Sequence, residues 1–151
     1  MSEDRIEQEI VIDAPRERVW AILTEPEHVG DWFGQGEPAQ IDLRPGGIMR
    51  LDHGEHGTFL TKIVDVEPPR RLAYRWASGF PGEVATETNS TLVEFTLAAE
   101  AAGTRLTVVE SGFTTREPAP VPSADDTYES HTGGWAGVVR ALKERSEKLA
   151  V

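Results

Sequence analysis

From Ala39 to Phe113 the chain alternates between apolar and polar residues, and this alternation limits the fold more than any other feature. The runs are Ala39–Leu43, Ile48–Asp52, Thr58–Val66, Arg71–Trp76, Thr91–Ala98 and Thr104–Ser111. A period of two is the mark of a half-buried strand. Between the runs stand Arg44-Pro45-Gly46-Gly47, Gly54-Glu55-His56-Gly57, Glu67-Pro68-Pro69 and Ala101-Ala102-Gly103. Turns this short join neighbouring antiparallel strands, so the six runs read as hairpins in a meander. A seventh run, Arg5 to Ile12, sets Ile6, Gln8 and Ile10 against Glu7, Glu9 and Val11.

Two helical signals lie between the first and second runs. Asp13-Ala14-Pro15 stops the strand, with Asp13 as the expected cap, and Val19, Trp20, Ile22 and Leu23 follow at helical spacing over about residues 15–23. Thr24-Glu25-Pro26 repeats the signal for a shorter helix ending at Gly30. The proline-rich stretch 114–123 reads as a linker, after which a long helix is expected, capped by Ser123 and opened by Asp125 and Asp126. Its stripe runs Tyr128, Trp135, Val138/Val139, Leu142 and Leu149, with His131/Thr132 and Arg145 in the remaining turns. Gly133, Gly134 and Gly137 disfavour a helix interior, and a close approach to a sheet is the expected compensation. An antiparallel sheet cannot bury a whole face alone. The economical packing is an α+β arrangement in which seven curved antiparallel strands grip the long C-terminal helix, with the two short helices plugging one end.

At 151 residues, the chain is expected to form one domain over 1–151. It has no cysteine, which excludes disulfides, thiolate metal sites and a cysteine nucleophile. A net charge of −11 argues against nucleic acid and against anionic membrane surfaces. The first residues carry acids where a signal peptide needs a basic and then an apolar stretch, and the expected location is the cytoplasm.

Several short pieces then fall into a familiar order. They are Ala14-Pro15 with Val19-Trp20, then Trp32-Phe33, Gly46-Gly47 and Gly57, then Val64 through Leu72 with Tyr74-Arg75-Trp76. Gly103-Thr104-Arg105-Leu106-Thr107, Ser111-Gly112-Phe113 and Gly134-Trp135 complete the set. In this order they resemble the AHSA-like family (activator of heat-shock-protein-90 ATPase homologue) of the START/SRPBCC polyketide-cyclase superfamily. The resemblance implies the helix-grip fold and a cavity between sheet and long helix. It also implies a chaperone as one conceivable partner, since the fold hosts carriers, cyclases, hydrolases and co-chaperones.

The alternation proposes a lining for such a cavity. Leu72, Tyr74 and Trp76 share one face, as do Val93, Phe95 and Leu97, then Leu106, Val108 and Glu110, and Met49 with Leu51. The helix adds Tyr128, Trp135 and Val139 or Leu142, with His131 beside them, and Phe113 is counted with the same lining. Large flat side chains around one volume suit a small hydrophobic or aromatic ligand. Trp32 and Phe33, among Gly30, Gly34 and Gly36, are expected to flank a mouth that can open.

Glu110 is the singular residue, a carboxylate in register with Leu106 and Val108. Inside an apolar face it must be paired or hydrogen-bonded, and it is the one candidate for a general base or a ligand anchor. Its partner would be an inward Tyr74 or His131, or Arg75 if it faces solvent. His53 and His56, with Asp52 and Glu55, sit where turn chemistry explains them, so no metal is expected, and no cofactor.

Three readings stay open. The first is a binder of a small hydrophobic molecule, as monomer or homodimer. The second is a chaperone-associated interaction module. The third is a cyclase- or hydrolase-type enzyme using Glu110.

Overall fold

A computed structural model describes residues 4–25, 28–29, 40–52, 58–80, 82–101, 103–117 and 127–148. The strands are β1 (Arg5–Ile12), β2 (Gln40–Ile41), β3 (Ile48–Asp52), β4 (Thr58–Glu67), β5 (Arg71–Trp76), β6 (Thr91–Glu100) and β7 (Gly103–Ser111). Helix α1 (Arg16–Thr24) follows β1, and the long helix α2 (Tyr128–Lys148) closes the chain. The strands form one antiparallel sheet in the order β1-β7-β6-β5-β4-β3-β2. From β2 to β7 every neighbour in space is the neighbour in sequence, through short turns except for the longer β5–β6 connection over residues 77–90; only β1 crosses over, to pair with β7. This is the helix-grip arrangement that the alternation implies.

Two turns depend on glycine. Gly46 has φ +85°, in the left-handed region, and its N–H donates to the Ile63 carbonyl. A Cβ on Gly47 would collide with the Asp42 carbonyl oxygen. Together they let the β2–β3 turn fold back tightly against β4. A bulge between Ile63 and Asp65 turns Val64 and Asp65 both outward, so Val66 returns to the inner face opposite Leu72.

The inner face carries the core. Ile6, Ile12, Met49, Leu51, Phe59, Ile63, Leu72, Tyr74, Val93, Phe95, Leu97, Leu106 and Val108 are all buried in one cluster. Helix α2 buries His131, Trp135, Val139, Leu142 and Ser146, at spacings of four, four, three and four. It packs against β1 and α1 most closely, and it reaches Phe95 and Trp76 through the Trp135 ring.

Three expectations need correction. The N-cap of α1 is Pro15, with no side-chain cap bond, and the Asp13 backbone N–H instead donates to Glu147 Oε2 at 2.8 Å, tying β1 to the end of α2. In α2 the buried residue of the last turns is Ser146, while Arg145 Nε donates to His28 Nδ1 at 2.7 Å, because the 3.6-residue period carries position 146 onto the stripe. Gly133, Gly134 and Gly137 lie on the exposed side, and a Cβ on any of them would meet nothing, so no close approach explains them. Of the second short helix only His28 and Val29 are described, and both are helical. The expected cap at Ser123, Asp125 and Asp126, and Leu149, lie outside the described residues.

Candidate functional site

β7 enters the interior with Leu106, Val108 and Glu110 on one face. Glu110 is opposite Ile6 on β1 and Val93 on β6, so apolar strands flank it on both sides. Its side chain has no exposed surface. A carboxylate in that position persists only if its oxygens are hydrogen-bonded, and three donors converge on it. Trp135 Nε1–H donates to Oε1 at 2.7 Å. His131 Nδ1 lies 2.7 Å from the same oxygen. The Thr91 hydroxyl donates to Oε2 at 2.5 Å. A carboxylate accepts and does not donate, so Nδ1 is the protonated nitrogen facing it.

The spacing of α2 explains the pair of helix donors. Residues 131 and 135 are four apart and therefore stack on one face of the helix. One carboxylate oxygen thus pins two successive turns of α2 to β7. Thr91, opening β6, is in phase with Val93 and Phe95 and points inward with them.

Aromatic rings fix the imidazole. The Trp76 ring stacks on His131 with centroids 4.8 Å apart and an interplanar angle of 26°. Phe113 meets the same ring edge-on at 5.2 Å. Trp135 is edge-on to Trp76 at 6.1 Å and to Phe95 at 5.8 Å. Held this way, His131 turns Nε2 toward Ser78 Oγ, at 3.4 Å. The Arg116 guanidinium donates to that same hydroxyl at 3.1 Å and lies 5.2 Å from the Phe113 centroid. Tyr74 is fully buried beside Phe95. Burial, and secondarily the Glu110 charge, hold its hydroxyl well above the ordinary phenol pKa, so Tyr74 stays neutral.

Of the residues singled out from the sequence, Tyr74, Trp76, Phe95, Glu110, Phe113, His131 and Trp135 come together here. Met49, Leu51 and Val139 are buried in the same core. Trp32 and Phe33, the expected gate, and His53 and His56 lie outside the described residues. Arg75, one suggested partner for Glu110, faces the opposite side of the sheet, since it alternates with inward Tyr74 and Trp76. Three participants escaped the sequence reading. Thr91 carried a usable signal, being in register with Val93, Phe95 and Leu97. Ser78 and Arg116 lie in irregular segments, where no period reveals direction.

Chemically, the cluster is a rigid polar floor in an aromatic wall. Both Glu110 oxygens are engaged, so Glu110 acts on its surroundings through the groups it orients, His131 and Trp135. Among the described residues no group of three His, Asp or Glu side chains is placed to hold a metal. No helix among them is long and apolar enough to cross a membrane.

Comparison with known proteins agrees with this architecture. DynU16, from the dynemicin biosynthetic locus, superposes with a TM-score of 0.71 at 27% identity, covering 95% of this chain and 47% of that one. The chain thus spans about half the length of DynU16. CalU16 from Micromonospora echinospora gives a TM-score of 0.62 at 26% identity, covering 93% of this chain and 71% of that one. The Aha1 dimer from Colwellia psychrerythraea, at 17% identity, shares the fold with a TM-score of 0.72 over 95% of this chain and 96% of that one. No curated protein matches this sequence. The model of the family described as activator of Hsp90 ATPase homolog 1-like protein matches residues 13–147, and the chain belongs to that family.

Proposed function

We propose that the protein binds a small hydrophobic or aromatic molecule between the inner face of the sheet and α2, against the wall formed by Trp76, Phe95, Phe113 and Trp135. The observation that carries this reading is the triple hydrogen bonding of Glu110 by Thr91, His131 and Trp135 on a face that is otherwise apolar. A fold needs no buried carboxylate there. Burying one is costly, and apolar residues in place of Glu110 and its three donors together would pack without any polar accounting. Its presence is understandable if the ring orientations it fixes, those of His131 and Trp135, are what the site requires. The ligand then meets flat aromatic surface and a few oriented polar groups, the usual make-up of a small-molecule site.

Membership of the family supports this reading, as does likeness to DynU16, from the dynemicin biosynthetic locus, and to CalU16. A homodimer is proposed beside it, on the likeness to a structure described as a dimer.

The test is a protein-detected NMR titration with a flat aromatic probe such as 2-naphthol. Saturable shifts of the Trp76 and Trp135 indole N–H resonances are expected, and Glu110→Gln should weaken binding several-fold by loosening the His131 and Trp135 rings that Glu110 holds. Absence of any shift across a series of one-, two- and three-ring aromatics would overturn the reading. Light scattering on the same sample decides between monomer and dimer.

A further inference from the structure

The outer face of the sheet shows two cationic environments within one strand. Arg71 and Arg75 are four residues apart on β5 and face the same way. Arg71 is bracketed by carboxylates, with Asp65 Oδ2 at 3.0 Å and Glu94 Oε2 at 3.1 Å. Arg75 has no such partner among the described residues. Its direct cross-strand neighbour is Lys62, another cation, which also has none. Like charges directly opposite one another on a sheet are unfavourable. In a chain of net charge −11, with 26 acidic residues to 15 basic ones, an unneutralised pair of this kind runs against the composition.

The pair does not stand on a flat surface. Past Trp76 the chain leaves β5, and residues 82–85 return alongside β4. There the Ala85 N–H donates to the Leu60 carbonyl at 3.0 Å, and Leu60 bridges to Val84. The returning segment raises a wall beside the sheet. Between wall and sheet lies a cleft of about 730 Å³, within the range of small-molecule sites. Lys62 and Arg75 supply its charge, and Val64, Val84 and Leu92 supply apolar surface. Val64 and Val84 are 47% and 44% exposed, two of the few large apolar side chains left open to solvent. Glu87 is the single carboxylate in the lining against Lys62 and Arg75, so the cleft carries a net positive charge.

We propose that this outer cleft is a second binding site, for a small organic anion with an apolar body. Its carboxylate lies between Lys62 and Arg75, and its hydrocarbon portion covers Val64, Val84 and Leu92. The anion supplies the counter-charge that Asp65 and Glu94 supply to Arg71. This site is separated from the interior by the sheet itself, and it stands or falls independently of the interior reading.

The test uses hexanoate as the probe and hexanamide as its uncharged match, followed by amide shifts of the full chain. With hexanoate, saturable shifts are expected at residues 62–64, 75, 84–88 and 92. Hexanamide should bind at least ten-fold more weakly, and added sodium chloride should weaken hexanoate alone. The double variant Lys62→Gln/Arg75→Gln should lose at least ten-fold in hexanoate affinity. Arg71→Gln, which removes a cation already neutralised on the same face, should stay within two-fold. Equal binding of hexanoate and hexanamide overturns the proposal. So do equal losses for the double variant and Arg71→Gln, or shifts confined to the Trp76 and Trp135 indoles.

Discussion

The two faces of one sheet treat charge in opposite ways. On the inner face a lone carboxylate, Glu110, has no exposed surface and is held by the Thr91 hydroxyl, the His131 imidazole and the Trp135 indole. On the outer face Asp65, Arg71 and Glu94 are each about a third exposed, and the two carboxylates together bracket the one guanidinium. Inside, the low dielectric makes an unmatched charge expensive, so every lone pair in use must be met by a fixed donor. Outside, water already solvates the ions, and pairing adds little. A charge on the inner face is therefore a geometric device, whereas one on the outer face is free to serve as a partner for something in solution.

The contrast can be broken first at its aromatic side. Trp135→Ala removes a buried ring, its contacts with Trp76 and Phe95, and one donor to Glu110. A loss of about 3–5 kcal/mol is expected in chemical denaturation. An unchanged midpoint would mean that the stripe of α2 does not hold the sheet.

Glu110→Gln keeps the shape and removes the charge. An amide nitrogen in the Oε1 position leaves both His131 and Trp135 without an acceptor, and in the Oε2 position it makes the Thr91 hydroxyl turn from donor to acceptor. The expected cost is about 1–3 kcal/mol. Hydrogen exchange should quicken first at residues 131–135. If stability were unaffected, the inner carboxylate would be no more consequential than the outer ones.

On the solvent side of the same helix the sign reverses. Gly137→Ala places a methyl where nothing is met and restricts the unfolded chain, so a gain of about 0.5–1 kcal/mol is expected in the same assay. The outer ion pairs give the smallest energy. Arg71→Gln should lose less than about 1 kcal/mol, and the loss should shrink further at high salt.

The acid limb of the stability profile sharpens the comparison at the rim. Hydrogen bonds from the Thr114 hydroxyl and backbone N–H hold the Asp4 carboxyl below its ordinary value of 3.8. Lys143 and the Asp13 N–H hold Glu147 below 4.5. For a depressed carboxyl the stabilisation is fully present above the unfolded pKa and fades as pH falls through the folded one. Melting temperature is therefore expected to fall below about pH 4, and Asp4→Asn should flatten that fall by lowering the melting temperature at neutral pH while leaving the acid end almost unchanged.

Much of this was legible in the residues themselves. A period of two fixes which side chains share a face, and the short turns fix antiparallel neighbours, because neither needs knowledge of distant contacts. That is why β1 was found at Arg5–Ile12, β5 at Arg71–Trp76, and Glu110 on the inward face. Direction on the long helix was legible too, through His131, Trp135, Val139 and Leu142 at three- and four-residue steps. What faces Glu110 was not. Alternation places a side chain on a face, but it does not say which element from another part of the chain lies over it. The choice of His131 and Trp135 as donors, over Arg75, follows from which way β5 faces and where α2 docks.

Ser78, Arg116 and the outer cleft lie still further from the sequence. They depend on segments with no period, on a chain that leaves β5 and returns beside β4, and on the pairing of Lys62 with Arg75 across two strands. Local repetition along the chain determined the strands, the helices and the faces. Only tertiary packing, which sets distances between residues far apart in sequence, decided which charges were matched and which were left open.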